Sequence, residues 1–236
     1  MMENKYILEL RGLTKEYVHG VPALDSVDLG ILSGRIVGLL GPNGSGKTTL
    51  IKLATGLLTP TSGEILIDGM APGVETRKLV SYLPDRDFLP QWMTVSQAFV
   101  YYGDFFEDFR RERAESMITT LGIDLNSKIK TLSKGNREKV SLILTMSRDA
   151  RLYLLDEPIA GVDPATRDYI LHTIISNYAE NSTVIISTHL IADVESILND
   201  VIFIKSGRIE MYRSAEEIRE TEGRSVDALF REVYKW

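Results

Sequence analysis

Cysteine is absent from the 236 residues, which removes disulfides and thiolate metal centres and leaves nothing that demands an oxidising compartment. Long apolar runs are absent as well: no segment approaches the ~20 apolar residues needed to cross a bilayer. The first residues, 1–5, lack the basic region and apolar core of a secretory leader. The expected location is therefore cytoplasmic, and any service to a membrane passes through a partner. Basic clusters are scarce, with 27 Lys and Arg against 33 Asp and Glu for a formal charge of −6. No nucleic-acid partner is expected from that balance. Internal repeats, low-complexity tracts and long heptad arrays are missing too. An α/β chain of this length forms one domain with room for an inserted subdomain.

What is present centres on Gly41-Pro42-Asn43-Gly44-Ser45-Gly46-Lys47-Thr48, which satisfies the phosphate-loop pattern G-x-x-x-x-G-K-[ST]. An apolar run at 36–40 has the length of a strand buried on both faces, and 49–54, beginning at Thr49, reads as a helix. The glycines let consecutive N–H groups point at phosphate oxygens, the helix start adds partial positive charge, and Lys47 adds a full one. Thr48 places its hydroxyl on a magnesium ion. The expected ligand is a nucleoside triphosphate, with kinase, GTPase, helicase and transport ATPase all compatible with the loop alone.

Ahead of the loop, strands are expected at 6–10 and 27–31, at a sheet edge, separated by the polar, Gly- and Pro-marked segment 14–22. Within it, Tyr17 either closes the first hairpin as a half-buried ring or stacks on a purine. Beyond the loop, 64–69 is a strand ending in an Asp-Gly turn and 80–84 a strand stopped by Pro84. From 85 the helical pattern strengthens, and a helical insertion over 85–150 is the economical reading. Five aromatics fall within 101–109; they pack the insertion, or some form a docking surface for another protein.

Residues 151–157 form an apolar strand ending in Asp156 and Glu157. In a parallel sheet that end lies at the edge where the phosphate loop sits. Asp156 is then placed to hold magnesium through water, and Glu157 to orient or deprotonate the attacking water. The strand 183–189 delivers His189 to the same edge as a γ-phosphate contact. His19 and His172 follow no such strand and read as surface residues. A hairpin is expected from 201–204 and 208–212 around Ser206-Gly207, followed by a short charged helical tail, 214–236.

From about residue 8 to 212 the chain resembles the ATP-binding subunit of an ABC transporter. Besides the loop and the acidic strand end, Leu132-Ser133-Lys134-Gly135-Asn136 stands where that family has its LSGGQ signature. Ile159-Ala160-Gly161-Val162-Asp163 is similar to the D-loop, His189 to the switch histidine and Tyr17 to the aromatic that stacks on adenine. The resemblance implies an α/β fold, a phosphate-loop NTPase core with a parallel sheet, an antiparallel β subdomain and an inserted α-helical subdomain. It implies a single ATPase domain over 1–236 and Mg2+-dependent ATP hydrolysis. It also implies a head-to-tail dimer, homo- or heteromeric, in which Ser133, Gly135 and Asn136 cap the γ-phosphate held by the other subunit. A separate membrane-spanning permease would convert the closure and separation of that dimer into transport. The rival within the same lineage is a soluble ABC-type ATPase with a regulatory role on ribosomes or DNA. Two departures stand out: Lys134 and Asn136 replace a glycine and a glutamine of the signature, and Asp85 stands where the family has a glutamine that reaches magnesium and water. Asp85 is expected to remain a metal or water contact, trading a neutral amide for an anion.

Overall fold

The structure, a computed structural model, describes residues 6–178 and 181–234; residues 1–5, read for a secretory leader, and the last two residues of the expected tail lie outside them. Strands β1 (Tyr6–Val18) and β2 (Val21–Leu32) form a hairpin, and β3 (Ile36–Leu40) leads through the phosphate loop into helix α1 (Lys47–Ala54). Then come β4 (Ser62–Ile67), α2 (Val74–Leu79) and β5 (Val80–Leu83), followed by helices α3 (Val95–Phe105), α4 (Arg111–Thr120) and α5 (Lys134–Met146). The chain returns to the sheet with β6 (Leu152–Asp156), α6 (Pro164–Asn177), β7 (Thr183–Thr188) and α7 (Ile191–Val194). It finishes with β8 (Asp200–Lys205), β9 (Arg208–Ser214), α8 (Ala215–Glu222) and α9 (Val226–Val233).

Six strands make the central sheet in the order β5-β6-β7-β3-β8-β9, parallel except for β9 at its edge. Every residue of β3, β6 and β7 is buried, as sequences apolar on both faces require in a sheet covered on both sides. One face, carrying Val37, Leu39, Leu154, Ile185 and Ile202, packs against Leu50, Ile51 and Leu53 of α1 and the apolar side of β1 and β2. The other, carrying Leu40, Tyr153, Leu155, Ile186 and Phe203, packs against α5, α6, α8 and α9. The tail helices are thus part of the core: Phe230 of α9 meets Phe203 edge-on at 5.3 Å between centroids.

Two expectations fail here. The segment 14–22 is strand almost throughout, with only His19 and Gly20 left in the turn, where Gly20 takes φ 79°. Its polar residues fit because the β1–β2 pairing shifts register repeatedly beyond Leu10, and such bulges twist a strand so that side chains turn to solvent. Nor does the hairpin extend the edge of the main sheet. It joins β4 in a separate antiparallel sheet, β2-β1-β4, because Ile7, Leu8, Leu10 and Leu13 find burial on the α1 face.

Helices α3 to α5 gather around Phe99, Tyr102, Phe109, Ile118, Ile143 and Leu144. A reciprocal cap starts α3, with Thr94 Oγ1 accepting from Gln97 N at 3.2 Å and Gln97 Oε1 accepting from Thr94 N at 2.9 Å. The aromatic run divides by helical spacing: Tyr102 and Phe109 are buried, whereas Tyr101 and Phe105, one turn apart, are 44% and 66% exposed.

Arg148, just after α5, binds these helices to the sheet. It is 2% exposed, its Nε and Nη2 reach the two oxygens of Asp108 at 2.9 and 3.1 Å, and Nη1 donates to Val80 O at 2.6 Å. Phe106 lies against its guanidinium at 3.9 Å. Arg148→Met removes a charge whose partners stay in place, an effect worth about 3 kcal/mol and, for a chain of this size, a fall of roughly 6–12 °C in Tm. Differential scanning calorimetry checks this; an unchanged Tm would show that the ion pair does not tie the two regions together.

Candidate active site

Parallel register sets the site. Leu40 of β3 pairs with Thr188 of β7, and Asp156 of β6 pairs with Ser187, so Gly41, Glu157 and His189 each lie one residue past the same sheet edge. Ligands collect at this edge in open α/β sheets.

The loop wraps tightly where it must. Gly44 and Gly46 have φ of 80° and 113°, and a Cβ on Gly46 would come within 2.6 Å of Ala23 O, one on Gly41 within 2.4 Å of Ile204 O. Only glycine meets both demands. Lys47, the first residue of α1, is 5% exposed; its Nζ donates to Gly41 O at 2.7 Å and pairs with Glu157 Oε1 at 3.3 Å.

Asp156 is fully buried. Its Oδ1 accepts from Thr48 Oγ1 at 3.1 Å and from Ser187 Oγ at 2.5 Å, while Oδ2 is buried with no hydrogen-bond partner. Burial pushes this carboxyl above the usual carboxylate range against the pull of the two hydroxyls, and the negative charges of Asp85 and Glu157 add to the rise. Glu157 follows in the left-handed region at φ 50°, a conformation a non-glycine residue keeps only where its surroundings impose it. Here Ser187 imposes it, accepting from Glu157 N through its carbonyl at 3.0 Å and its hydroxyl at 3.1 Å. Glu157 Oε2 then lies 3.0 Å from His189 Nδ1.

Among the described residues no three Asp, Glu, His or Cys side chains converge into a metal cage. The free oxygen of Asp156 beside the Thr48 hydroxyl instead suits a hard cation that takes most of its ligands from phosphate and water, as Mg2+ does.

A cleft of about 360 Å³ opens over the loop, lined by Tyr17, Asn43, Lys47, Thr48, Asp85 and Glu157. Tyr17 is 61% exposed with its hydroxyl 3.3 Å from Thr49 Oγ1, so its reading as a half-buried hairpin closure is wrong: the bulged strand turns the ring outward over the cleft. Ser133, Gly135 and Asn136 do not line this cleft. They form the start of α5, where Ser133 Oγ accepts from Asn136 N at 3.2 Å. A second cleft of about 380 Å³ runs from Glu157 past Asp85 to Lys134. Lys134 Nζ donates to Gly161 O at 3.2 Å and lies 3.7 Å from Glu138. Asp163 caps α6, accepting from Thr166 N at 3.1 Å.

Two participants went unnoticed in the sequence. Ser187 holds both Asp156 and the Glu157 backbone; the signal was a hydroxyl near the end of an otherwise apolar strand. Tyr82 carries a hydroxyl that is buried without a partner, in a strand whose neighbours gave no reason to single it out.

The family model described as ABC transporter matches residues 24–160, more than half of the chain. The chain belongs to the ABC transporter family. The match spans the phosphate loop, Asp85, the signature and the acidic strand end, and leaves Tyr17 and His189 outside. This ABC transporter chain is 30% identical over 227 residues to the uncharacterized ABC transporter ATP-binding protein YdbJ of Bacillus subtilis, covering 93% of this chain and 73% of that protein. It is 30% identical over 209 residues to the SkfA peptide export ATP-binding protein SkfE of the same organism, covering 86% and 87%. A solved structure described as the ATP binding subunit of an ABC transporter superposes with a TM-score of 0.86 at 28% identity, over 97% of this chain and 100% of that one.

The raised carboxyl of Asp156 has a thermodynamic consequence. A carboxyl whose folded pKa exceeds its unfolded value contributes stability below the unfolded pKa and loses it as pH rises through the folded one. At neutral pH the buried charge therefore works against folding of the ligand-free protein. Asp156→Asn keeps an oxygen for Thr48 and Ser187, and the expected result at pH 7 is a gain of about 1 kcal/mol, roughly 2–4 °C in Tm. The same variant should lose the metal dependence of nucleotide binding; a lower Tm without ligand would contradict this account of the carboxylate.

Proposed function

We propose that this chain is the ATP-binding and ATP-hydrolysing subunit of an ABC transporter, working as a dimer on a separate membrane-spanning permease. What carries the reading is the gathering of the phosphate loop, Asp156, Glu157 and His189 at one sheet edge, with the Ser133 helix start outside that cleft. Backbone N–H groups of residues 41–48 and Lys47 hold the phosphates of ATP, and the exposed ring of Tyr17 stacks on the adenine. Thr48 and Asp156 hold Mg2+, with Asp85 as a further metal or water contact. The ion supplies charge neutralisation on the phosphate oxygens.

Glu157 accepts a proton from the attacking water as its oxygen bonds to the γ-phosphorus and the bond to the β-phosphate oxygen breaks, releasing ADP and phosphate. Lys47 and His189 flank the Glu157 carboxylate and fix its direction, and His189 also reaches the γ-phosphate. Ser133, Gly135 and Asn136 face the γ-phosphate bound by the second subunit, so neither subunit completes a site alone. ATP binding closes the dimer and hydrolysis lets it separate, and the permease turns that motion into transport.

We place the whole chain, 1–236, in one ATPase domain, with 85–150 as a helical insertion and 214–236 as a tail. No described helix is long and apolar enough to cross a membrane, so in this reading the chain is held on the inner face of the cell membrane by the permease. SkfE, among the relatives, is named for peptide export, which favours an export system. The regulatory reading on ribosomes or DNA finds no support in the net charge of −6 or in the relatives.

Glu157→Gln removes the proton acceptor while keeping the side chain's size. Its expected behaviour is an ATP-dependent dimer, seen as a doubled mass by light scattering, with turnover slowed at least about a hundredfold. Ser133→Arg in the same background should abolish the dimer at unchanged ATP affinity. A monomer with ATP in the Glu157→Gln protein would overturn the shared-site reading for this chain acting alone.

A further inference from the structure

Tyr82 stands beside Leu154 in the parallel pairing of β5 and β6. Alternate residues of a strand share a face, so Tyr82, Leu154 and Asp156 point to the side covered by α1, where Tyr82 packs against the apolar cluster. The side chains of Tyr82 and Asp156 are near enough that the Asp156 charge acts on the Tyr82 phenol. The Tyr82 hydroxyl and Asp156 Oδ2 are both buried, and neither has a hydrogen-bond partner. One is a donor and the other an acceptor, and buried polar atoms left in that state call for a water or an ion between them.

The other groups around the cation site leave a shortage of donors. Thr48 and Ser187 already give their hydroxyl protons to Asp156 Oδ1. Lys47 is engaged with Gly41 O and Glu157. A carboxylate such as that of Asp85 accepts and does not donate. Burial, with the charges of Asp156 and Asp85, raises the Tyr82 phenol well above its ordinary value, so it keeps its proton at any physiological pH.

We propose that Tyr82 is a positioning residue of the cation site, its hydroxyl donating to a water that is shared with the free oxygen of Asp156 and enters the hydration of the bound cation. In this role it replaces the donor that Asp85 does not provide. The assignment rests on the Mg-nucleotide reading above, and its test keeps the two apart.

Tyr82→Phe deletes one oxygen and no existing protein hydrogen bond, so the fold and its Tm are retained. The probe is Mn2+ in the presence of a non-hydrolysable ATP analogue, with bound metal read by electron paramagnetic resonance. The expected result is about three- to tenfold weaker Mn2+ binding, with analogue binding in EDTA unchanged. Equal Mn2+ affinity in Tyr82→Phe and wild type would overturn the proposal while leaving the nucleotide site intact. Absence of metal-stimulated analogue binding in the wild type would overturn the Mg-nucleotide reading itself, and this assignment with it.

Discussion

The carboxylate of Asp156 is the point at which the structure is tied together. It ends β6, takes the hydroxyl of Thr48 from α1 and that of Ser187 from β7, and so fixes the phosphate-loop helix and two strands against one another. A buried charge is costly unless its oxygens are satisfied, and here one oxygen is and the other is not. The half-satisfied state is costly to the ligand-free chain and favourable to anything that brings positive charge to that spot. Stability and ligand affinity are thus set in opposition through one atom, a common arrangement where a site must respond to its ligand.

The neighbouring network follows from the same register. Ser187 opposes Asp156 and also holds the Glu157 backbone at positive φ. That turn brings the Glu157 side chain between Lys47 and His189 instead of letting it follow its strand outward. A carboxylate flanked by a lysine and an imidazole is already oriented, which is what the proposed role toward a hydrolytic water requires. The geometry is supplied by hydrogen bonds to backbone and hydroxyl groups within the sheet.

Much of this was legible in the sequence because it is local. The loop at 41–48 needs glycines at fixed positions, the apolar strand at 36–40 runs straight into it, and those at 151–157 and 183–189 each deliver a polar residue at their end. Parallel strands then place those ends together. What escaped was non-local or hidden by composition. The polar stretch 14–22 looked like a break but is held as strand by pairing with a second strand and by bulges, contacts that outweigh local propensity. Spacing alone left Tyr17 between two roles and the resemblance favoured stacking; the bulged strand leaves its ring exposed, which no local pattern announced. Ser187 and Tyr82 acquire meaning only through their neighbours on β6, and no periodicity in their own strands marks them.

The two departures from the family pattern, Asp85 and Lys134, are opposite in sign, and geometry relates them. Asp85 lines the cleft above the phosphate loop of its own chain, adding a negative charge to the cleft proposed for the nucleotide. Lys134 sits at the start of α5, 62% exposed in its side chain and steadied by Gly161 O at 3.2 Å. In the head-to-tail dimer proposed above, each composite site receives Asp85 from one subunit and Lys134 from the other. Coulomb interactions across a closed, water-poor interface are felt far more strongly than at an exposed surface, so a carboxylate facing a phosphate without that counterpart would oppose closure. Within one chain Asp85 already lies 3.9 Å from Arg86 and shares the second cleft with Lys134 and Arg137, so its charge is partly balanced before any second subunit approaches.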